Sequence, residues 1–317
     1  MTFHPDSLPD LTGKVYIVTG GTSGIGFYTV ARLAQHGAHV YLCARSEAKG
    51  RKAVEEIQAL YPTARVSTLV MDHEVLASVA AAADLFLSKE SRLHGLVNNA
   101  GVMAVPRRLT ADGYEVQWQT NYVAHWLFTE RLLPLMLATS RALPAGAVRV
   151  ANLTSGGNMM APRPGVDLAD TSLREGSAIA RYGQSKLANI LHAQALHRRV
   201  GPRPGRDRAT EGEVWTSSIH PGVVKTGLDA KATEAPFFIG IITFVLNVFG
   251  AHWPADRGAW TSVFCVASPD MRAEQSGTFF ERIARAGTAI SSKAKDEKLE
   301  ARLEEWTREE MEKKGWV

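Results

Sequence analysis

Short β-branched or aromatic runs recur along this chain at residues 15–19, 39–43, 65–70, 95–98, 148–154, 214–220 and 277–283. Helix-period segments separate most of them, among them 27–36, 47–60, 76–87 and 122–138. This alternation constrains the fold more than any other feature. Parallel neighbours cannot be joined by a tight hairpin, and a helical crossover is the usual connection. The run Lys14-Val15-Tyr16-Ile17-Val18-Thr19 is apolar on both faces, as a parallel strand covered on both sides requires. The expected fold is α/β, with a seven-stranded, mostly parallel sheet and helices on both faces.

Nothing in the chain interrupts that pattern long enough to mark a domain boundary. The Pro/Gly/Arg-rich stretch 201–212 is followed directly by strand material and reads as a surface loop. The expectation is one doubly wound Rossmann domain over residues 1–317, with a substrate lid at about 226–255 and a C-terminal helix at about 295–314. Leu299, Leu303 and Trp306 form one stripe of that helix. The net charge is +4 with both signs interspersed, so no nucleic-acid footprint is expected. Cys43 and Cys265 have no zinc-ligand companions, and so few cysteines point to a reducing, cytoplasmic setting without a metal. The N-terminus lacks the basic and apolar regions of a signal peptide. The most apolar stretch, 235–250, is shorter than the ~20 residues a transmembrane helix needs.

The first strand runs into Gly20-Gly21-Thr22-Ser23-Gly24-Ile25-Gly26, and a helix follows. Glycines at such a turn let backbone N–H groups approach a pyrophosphate, and the helix N-terminus adds partial positive charge. A plain tight turn would use the same residues, but the position at the first strand of a βαβ unit favours a dinucleotide. An NAD site wants an acid about 20 residues past the glycines. The chain instead carries Arg45, 19 residues after Gly26, which suits the 2′-phosphate of NADP(H). A solvated surface arginine is the alternative. Asp72 and His73 follow the third strand; Asp72 is placed to meet the adenine or to cap a helix. Asn98-Asn99-Ala100-Gly101 makes a sharp exit from the fourth strand, whose backbone either lines the cofactor ribose or forms a plain turn.

Tyr182 and Lys186 stand four residues apart in a helical segment, and therefore on one face. A phenol has an ordinary pKa near 10, and a nearby fixed cation favours its ionised form. The pair can serve as a general acid or base, or simply as a surface tyrosine packed by a lysine stem. Ser185 and Asn189 share its stripe.

Taken together, these motifs make the chain resemble the short-chain dehydrogenase/reductase family over about residues 12–285. The resemblance rests on Thr-Gly-Gly-Thr-Ser-Gly-Ile-Gly at 19–26, Asn-Asn-Ala-Gly at 98–101, Asn121 in Gln-Thr-Asn-Tyr, Ser155 in Asn-Leu-Thr-Ser, Tyr182 with Lys186, and Pro221-Gly222-Val223-Val224-Lys225-Thr226. The segments Gln-Thr-Asn-Tyr-Val-Ala-His-Trp-Leu-Phe-Thr and Ser-Lys-Leu-Ala-Asn-Ile-Leu carry a nearer likeness to its retinol-dehydrogenase-like and fungal-type reductases.

The resemblance implies an NADP(H)-dependent oxidoreductase. Tyr182 would be the general acid/base, and Lys186 would support it and hold the nicotinamide ribose. Ser155 would bond the substrate oxygen, and Asn121 would hold a water in a proton relay. Gly20, Thr22, Ser23, Gly24, Ile25, Gly26, Arg45, Asp72, His73, the 98–101 turn, Pro221, Gly222, Val223 and Thr226 would surround the cofactor. Pocket walls would include Met103, Met159, Met160, Leu228, Phe237 and Phe238, which suit a lipophilic ketone, aldehyde or secondary alcohol. Ser155 and Tyr182 are 27 residues apart, a long gap that is expected to roof the pocket. A homodimer through the helices containing 122–138 and 182–198 is also implied. Two alternatives stay open: non-redox chemistry on a natural product, such as an isomerisation or cyclisation, and an NADP(H)-sensing regulator.

Overall fold

The computed structural model describes residues 3–224, 232–234, 253–288 and 290–317. One sheet runs in the order β3-β2-β1-β4-β5-β6-β7-β8. Its strands are β1 (Val15–Val18), β2 (His39–Ala44), β3 (Arg65–Val70), β4 (Gly95–Asn98), β5 (Arg149–Leu153), β6 (Trp215–His220), β7 (Thr278–Glu281) and β8 (Arg285–Ala286). The first seven are mutually parallel. The eighth, antiparallel to β7, corrects the seven-stranded expectation. It is two exposed residues long, too short for a hydrophobic alternation. The turn leading to it places Arg282 and Ala284 at φ 55° and 54°, where glycine would ordinarily announce a left-handed turn.

The longer described helices are α1 (Gly24–Gln35), α2 (Glu47–Leu60), α3 (Leu76–Lys89), α4 (Ala124–Arg141), α5 (Ala178–Val200), α6 (Ala255–Ala267) and α7 (Glu297–Lys313). The core lies in two layers, one on each sheet face. Leu76, Phe86, Trp126, Phe128, Leu187 and Ile190 fill one; Val30, Leu33, Ile57, Val263 and Phe264 fill the other. Strand order reverses between β1 and β4, and the carboxyl ends of β1, β2, β4, β5 and β6 open toward one edge. In open α/β sheets that crevice is where ligands bind.

Asp296 caps α7 by accepting from the Lys298 and Leu299 N–H groups. Leu299 and Leu303 are buried beneath the helix, and Trp306 packs partly buried against Trp118. Tyr122 hydrogen-bonds Thr307, Trp126 donates to Glu304 at 2.9 Å, and Arg198 pairs with Glu300. The helices that family resemblance offers for a homodimer thus carry the chain's own C-terminal helix along Tyr122, Trp126 and Arg198. Cys43 and Cys265 are free and buried. Among the described residues no helix is long and apolar enough to cross a membrane, and no group of three His, Cys, Asp or Glu could hold a metal.

Candidate active site

The glycine turn is closed against its surroundings. A Cβ on Gly26 would stand 2.4 Å from the Gly20 carbonyl oxygen and 2.5 Å from Asn99 Nδ2; one on Gly21 would stand 2.8 Å from Leu42 Cβ. Gly20 and Gly24 adopt φ of 63° and 57°, the left-handed region. Ser23 precedes α1 without bonding it through its side chain, and no acid occupies the first turn. The helix therefore presents its leading N–H groups and positive end uncovered by its own side chains, an arrangement that suits a phosphate-bearing ligand.

The Asn98–Gly101 exit is tied to this turn. Asn99 Nδ2 donates to the Thr19 carbonyl at 2.7 Å, while the Asn99 and Ala100 N–H groups donate to Thr19 Oγ1 at 2.8 and 2.9 Å. Asn98 is committed inward, its amide donating to Thr129 and Asn152. Arg45 is exposed where β2 ends, one residue past the Ala44–Val70 pairing, and Asp72 leaves β3 beside it. The Asp72 carboxylate accepts from the Glu74 N–H at 3.0 Å; α3 begins later, with Val75 at its cap, so Asp72 is a turn residue rather than a cap. His73 is buried with its ring 4.8 Å from that of His125.

Tyr182 and Lys186 lie within α5, which Ser177 caps by accepting from the Ala180 N–H at 3.2 Å. Both side chains are buried, and Lys186 Nζ sits 5.7 Å from the centre of the Tyr182 ring. The same ammonium donates to the Leu153 carbonyl at 3.1 Å, and Asn189 donates to that carbonyl at 2.9 Å. The stripe of Tyr182, Ser185, Lys186 and Asn189 therefore faces the end of β5. Ser155, just beyond β5, caps a short 3-10 helix (Gly156–Met160), and its Oγ accepts from the Gly157 N–H at 3.1 Å. A Cβ on Gly157 would lie 2.7 Å from Tyr182 Cε1 and 3.6 Å from Ser155 Oγ. The bare glycine leaves room for the phenol ring, and the serine hydroxyl borders the same glycine.

Asn121 lies in a single π-helical stretch (Gln119–Val123), just ahead of most of the helix-period segment 122–138. Single-turn π-helical stretches of this kind are frequent at functional sites. Its Oδ1 accepts from the Val102 N–H at 2.8 Å, and its Nδ2 donates to the Val102 carbonyl at 3.0 Å and to Ser185 Oγ at 2.9 Å. A Cβ on Gly101 would stand 3.1 Å from Asn121 Oδ1 and 3.3 Å from Lys186 Nζ, so these two groups border one small space. The structure thus gathers Asn121, Ser155, Tyr182 and Lys186 beside the sheet's switch point.

Burial lowers the Lys186 pKa from 10.5 to about 8. Between those values the unfolded chain holds more protons than the folded one, so stability rises as pH climbs from about 8 to 10.5. Lys186→Met should remove that part of the slope. It should also raise the Tm of the ligand-free protein at pH 7, by roughly 2–4 °C for each kcal/mol of relieved desolvation. Identical pH slopes of melting for wild type and variant would contradict this account.

Met159 and Met160 are 55% and 42% exposed on the turn after Ser155, and Met103 is half-buried. Asn158 fastens that turn, donating to the Ser155 carbonyl and accepting from the Ser291 N–H, both at 2.7 Å. The rest of the long segment is held by Gln184, which accepts from the Asp167 N–H at 2.9 Å and donates to the Thr171 carbonyl at 3.0 Å. Gly222 lies under the Trp253 ring with φ 88°, beside half-buried Pro221 and exposed Val223. Thr226, Leu228, Phe237 and Phe238, and most of the expected lid, lie outside the described residues.

Thr19 and His125 were not among the sequence-derived site residues. His125 sits four positions after Asn121 and bridges Asn121 to Thr19 through its two ring nitrogens. That i,i+4 spacing was its only signal.

A family model for short chain dehydrogenase matches residues 14–160. The short-chain dehydrogenase/reductase drtF of Aspergillus calidoustus is 47% identical over 312 residues, which span 98% of this chain and 97% of its own. Retinol dehydrogenase 12 of Mus musculus is 33% identical over 294 residues, spanning 92% of this chain and 84% of its own. An uncharacterized protein from Mycobacterium paratuberculosis superposes with a TM-score of 0.72 at 27% identity, over 98% of this chain and 97% of that one. The RhlG/NADP active-site complex of Pseudomonas aeruginosa shares the fold, with a TM-score of 0.64 at 21% identity over 88% of this chain and 97% of that one. With such relatives and this fold, the chain belongs to the short-chain dehydrogenase/reductase family of oxidoreductases, in the branch of fungal and retinol-dehydrogenase-like members.

Proposed function

We propose that this protein is a cytoplasmic NADP(H)-dependent carbonyl reductase, reversible in principle, acting on a lipophilic ketone or aldehyde. We take the whole chain as one Rossmann domain. The observation that carries the reading is the buried Tyr182–Lys186 pair, with the Tyr182 ring and the Ser155 hydroxyl both bordering Gly157. The bound nicotinamide would supply a hydride to the carbonyl carbon. Tyr182 gives its proton to the carbonyl oxygen, which leaves a phenolate. The Lys186 ammonium favours that phenolate electrostatically, and Ser155 donates a hydrogen bond to the oxygen as negative charge develops there. Asn121 Oδ1 borders the same glycine as Lys186 Nζ, and would hold the water through which the proton is replaced.

Support for NADP(H) comes from exposed Arg45 at the end of β2, where an acid would select NAD. NADP is also the ligand of the RhlG complex. Support for a lipophilic substrate comes from the exposed apolar methionines Met159 and Met160 next to Ser155. The test follows NADPH absorbance with a panel of hydrophobic ketones and aldehydes, for wild type and Arg45→Asp. Charge-assisted bonds of about 1.5–3 kcal/mol put the expected loss of NADPH affinity at about 10- to 100-fold, with NADH affected far less. Equal losses for both cofactors would refute the 2′-phosphate role of Arg45.

A further inference from the structure

Thr19 Oγ1 has two lone pairs and one proton. The Asn99 and Ala100 N–H groups, at 2.8 and 2.9 Å, occupy both lone pairs. The hydroxyl proton is therefore left for its third neighbour, His125 Nε2, at 2.9 Å. A nitrogen that accepts is unprotonated, so the ring proton of neutral His125 lies on Nδ1. Nδ1 is 2.9 Å from the Asn121 carbonyl, a group that can only accept. The bonds run in one direction: Asn99 and Ala100 to Thr19, Thr19 to His125, His125 to Asn121. Burial and the nearby His73 and Lys186 hold the His125 pKa well below its ordinary value, so the ring stays neutral.

The two ends of this chain belong to different parts of the site. Thr19 anchors the β1 exit to the β4 exit beside the glycine turn. Asn121 holds Val102 and Ser185, and borders Lys186 Nζ through Gly101. The π-helical stretch has no other described side-chain bond to the β1 exit. We propose that His125 is a positioning residue that couples the dinucleotide turn to the proton-transfer group, by fixing the Asn121 backbone relative to Thr19. The proposal rests on the reductase reading for its kinetic consequence, but not for its structural one. Misplacement of a positioned group by about 1 Å is worth up to ~10²-fold in rate, and an ordered coupling of this kind allows cofactor docking to set the relay.

Two conservative variants divide the bridge. His125→Gln can keep an acceptor for Thr19 while losing the donor to Asn121; His125→Asn can keep the donor while losing the reach to Thr19. Each should lower kcat about 10- to 100-fold, with KM for the carbonyl substrate within about threefold. A role limited to packing would lower Tm and leave kcat of the folded fraction unchanged, and wild-type kcat in both folded variants would overturn the proposal. The wild-type protein supplies a second readout that needs neither variant nor turnover. In 15N-histidine NMR of the ligand-free protein at pH 7, His125 should show a protonated Nδ1 and a bare Nε2. An Nε2–H tautomer would overturn the proposal. Tyr182→Phe is the control that separates the two claims: if it turns over like wild type, the reductase mechanism fails, and the tautomer still decides the bridge. If it is inactive while both His125 variants are unimpaired, only the bridge fails.

Discussion

Tyr182→Phe is expected to lower kcat by about 10²–10⁴-fold, the usual worth of a positioned general acid, while NADPH affinity and KM stay near wild-type values. The variant deletes one oxygen from a ring that is 4% exposed, packed against Gly157 and 5.7 Å from the Lys186 ammonium. Packing of the ring is preserved, so the loss should appear in the chemical step rather than in binding. Ser155 and Lys186 would remain, and their electrostatic support would leave a residual rate above the uncatalysed one. Steady-state kinetics with the best carbonyl substrate, together with NADPH fluorescence titration, separates kcat from binding. A variant with wild-type kcat would remove Tyr182 from the mechanism.

The second large effect is expected at the glycine turn. A single added carbon in Gly26→Ala would stand 2.4 Å from the Gly20 carbonyl oxygen and 2.5 Å from Asn99 Nδ2, both parts of the framework rather than flexible ends. Relief requires the turn to move outward by about 1 Å if ordinary carbon–oxygen contact near 3.5 Å is to be regained. That motion carries the leading N–H groups of α1 away from the phosphate. Two lost hydrogen bonds to a charged group, at about 1.5–3 kcal/mol each, weaken NADPH by roughly 10²–10⁴-fold. Calorimetric titration with NADPH measures the loss, and circular dichroism confirms that the sheet persists. Wild-type NADPH affinity in a folded Gly26→Ala protein would contradict the assignment of this turn.

The parallel core was legible because buried parallel strands leave an unmistakable apolar run. Residues 15–19 and 39–43 could hardly be anything else, and the observed β1 and β2 differ from them by one residue. Strand β8 was not legible, since Arg285 and Ala286 carry no pattern and their turn lacks a glycine. Tyr182, Lys186, Ser155 and Asn121 were visible as motifs, but the contacts that organise them were not. Nothing in the sequence announces that Asn121 lies in a π-helical stretch. The bond between His125 and Thr19 spans 106 positions, and such pairings depend on strand order rather than local spacing. The C-terminal helix shows the same division. The stripe of Leu299 and Leu303 forecasts an apolar face, yet only tertiary structure reveals that Glu300, Glu304 and Thr307 of the same helix bond Arg198 at the end of α5, Trp126 and Tyr122.

The central claim is hydride transfer to a carbonyl carbon with Tyr182 supplying the proton, and isotope transfer tests it most directly. NADPH deuterated at C4 of the nicotinamide, on each face in turn, is incubated with the protein and the carbonyl compound it consumes fastest. Mass spectrometry should find one deuterium on the carbinol carbon from one face of the label only, with one NADPH oxidised per alcohol formed, and Tyr182→Phe should slow its appearance by about 10²–10⁴-fold. Substrate converted without deuterium gain and without NADPH oxidation would contradict the account and assign the site to non-redox chemistry.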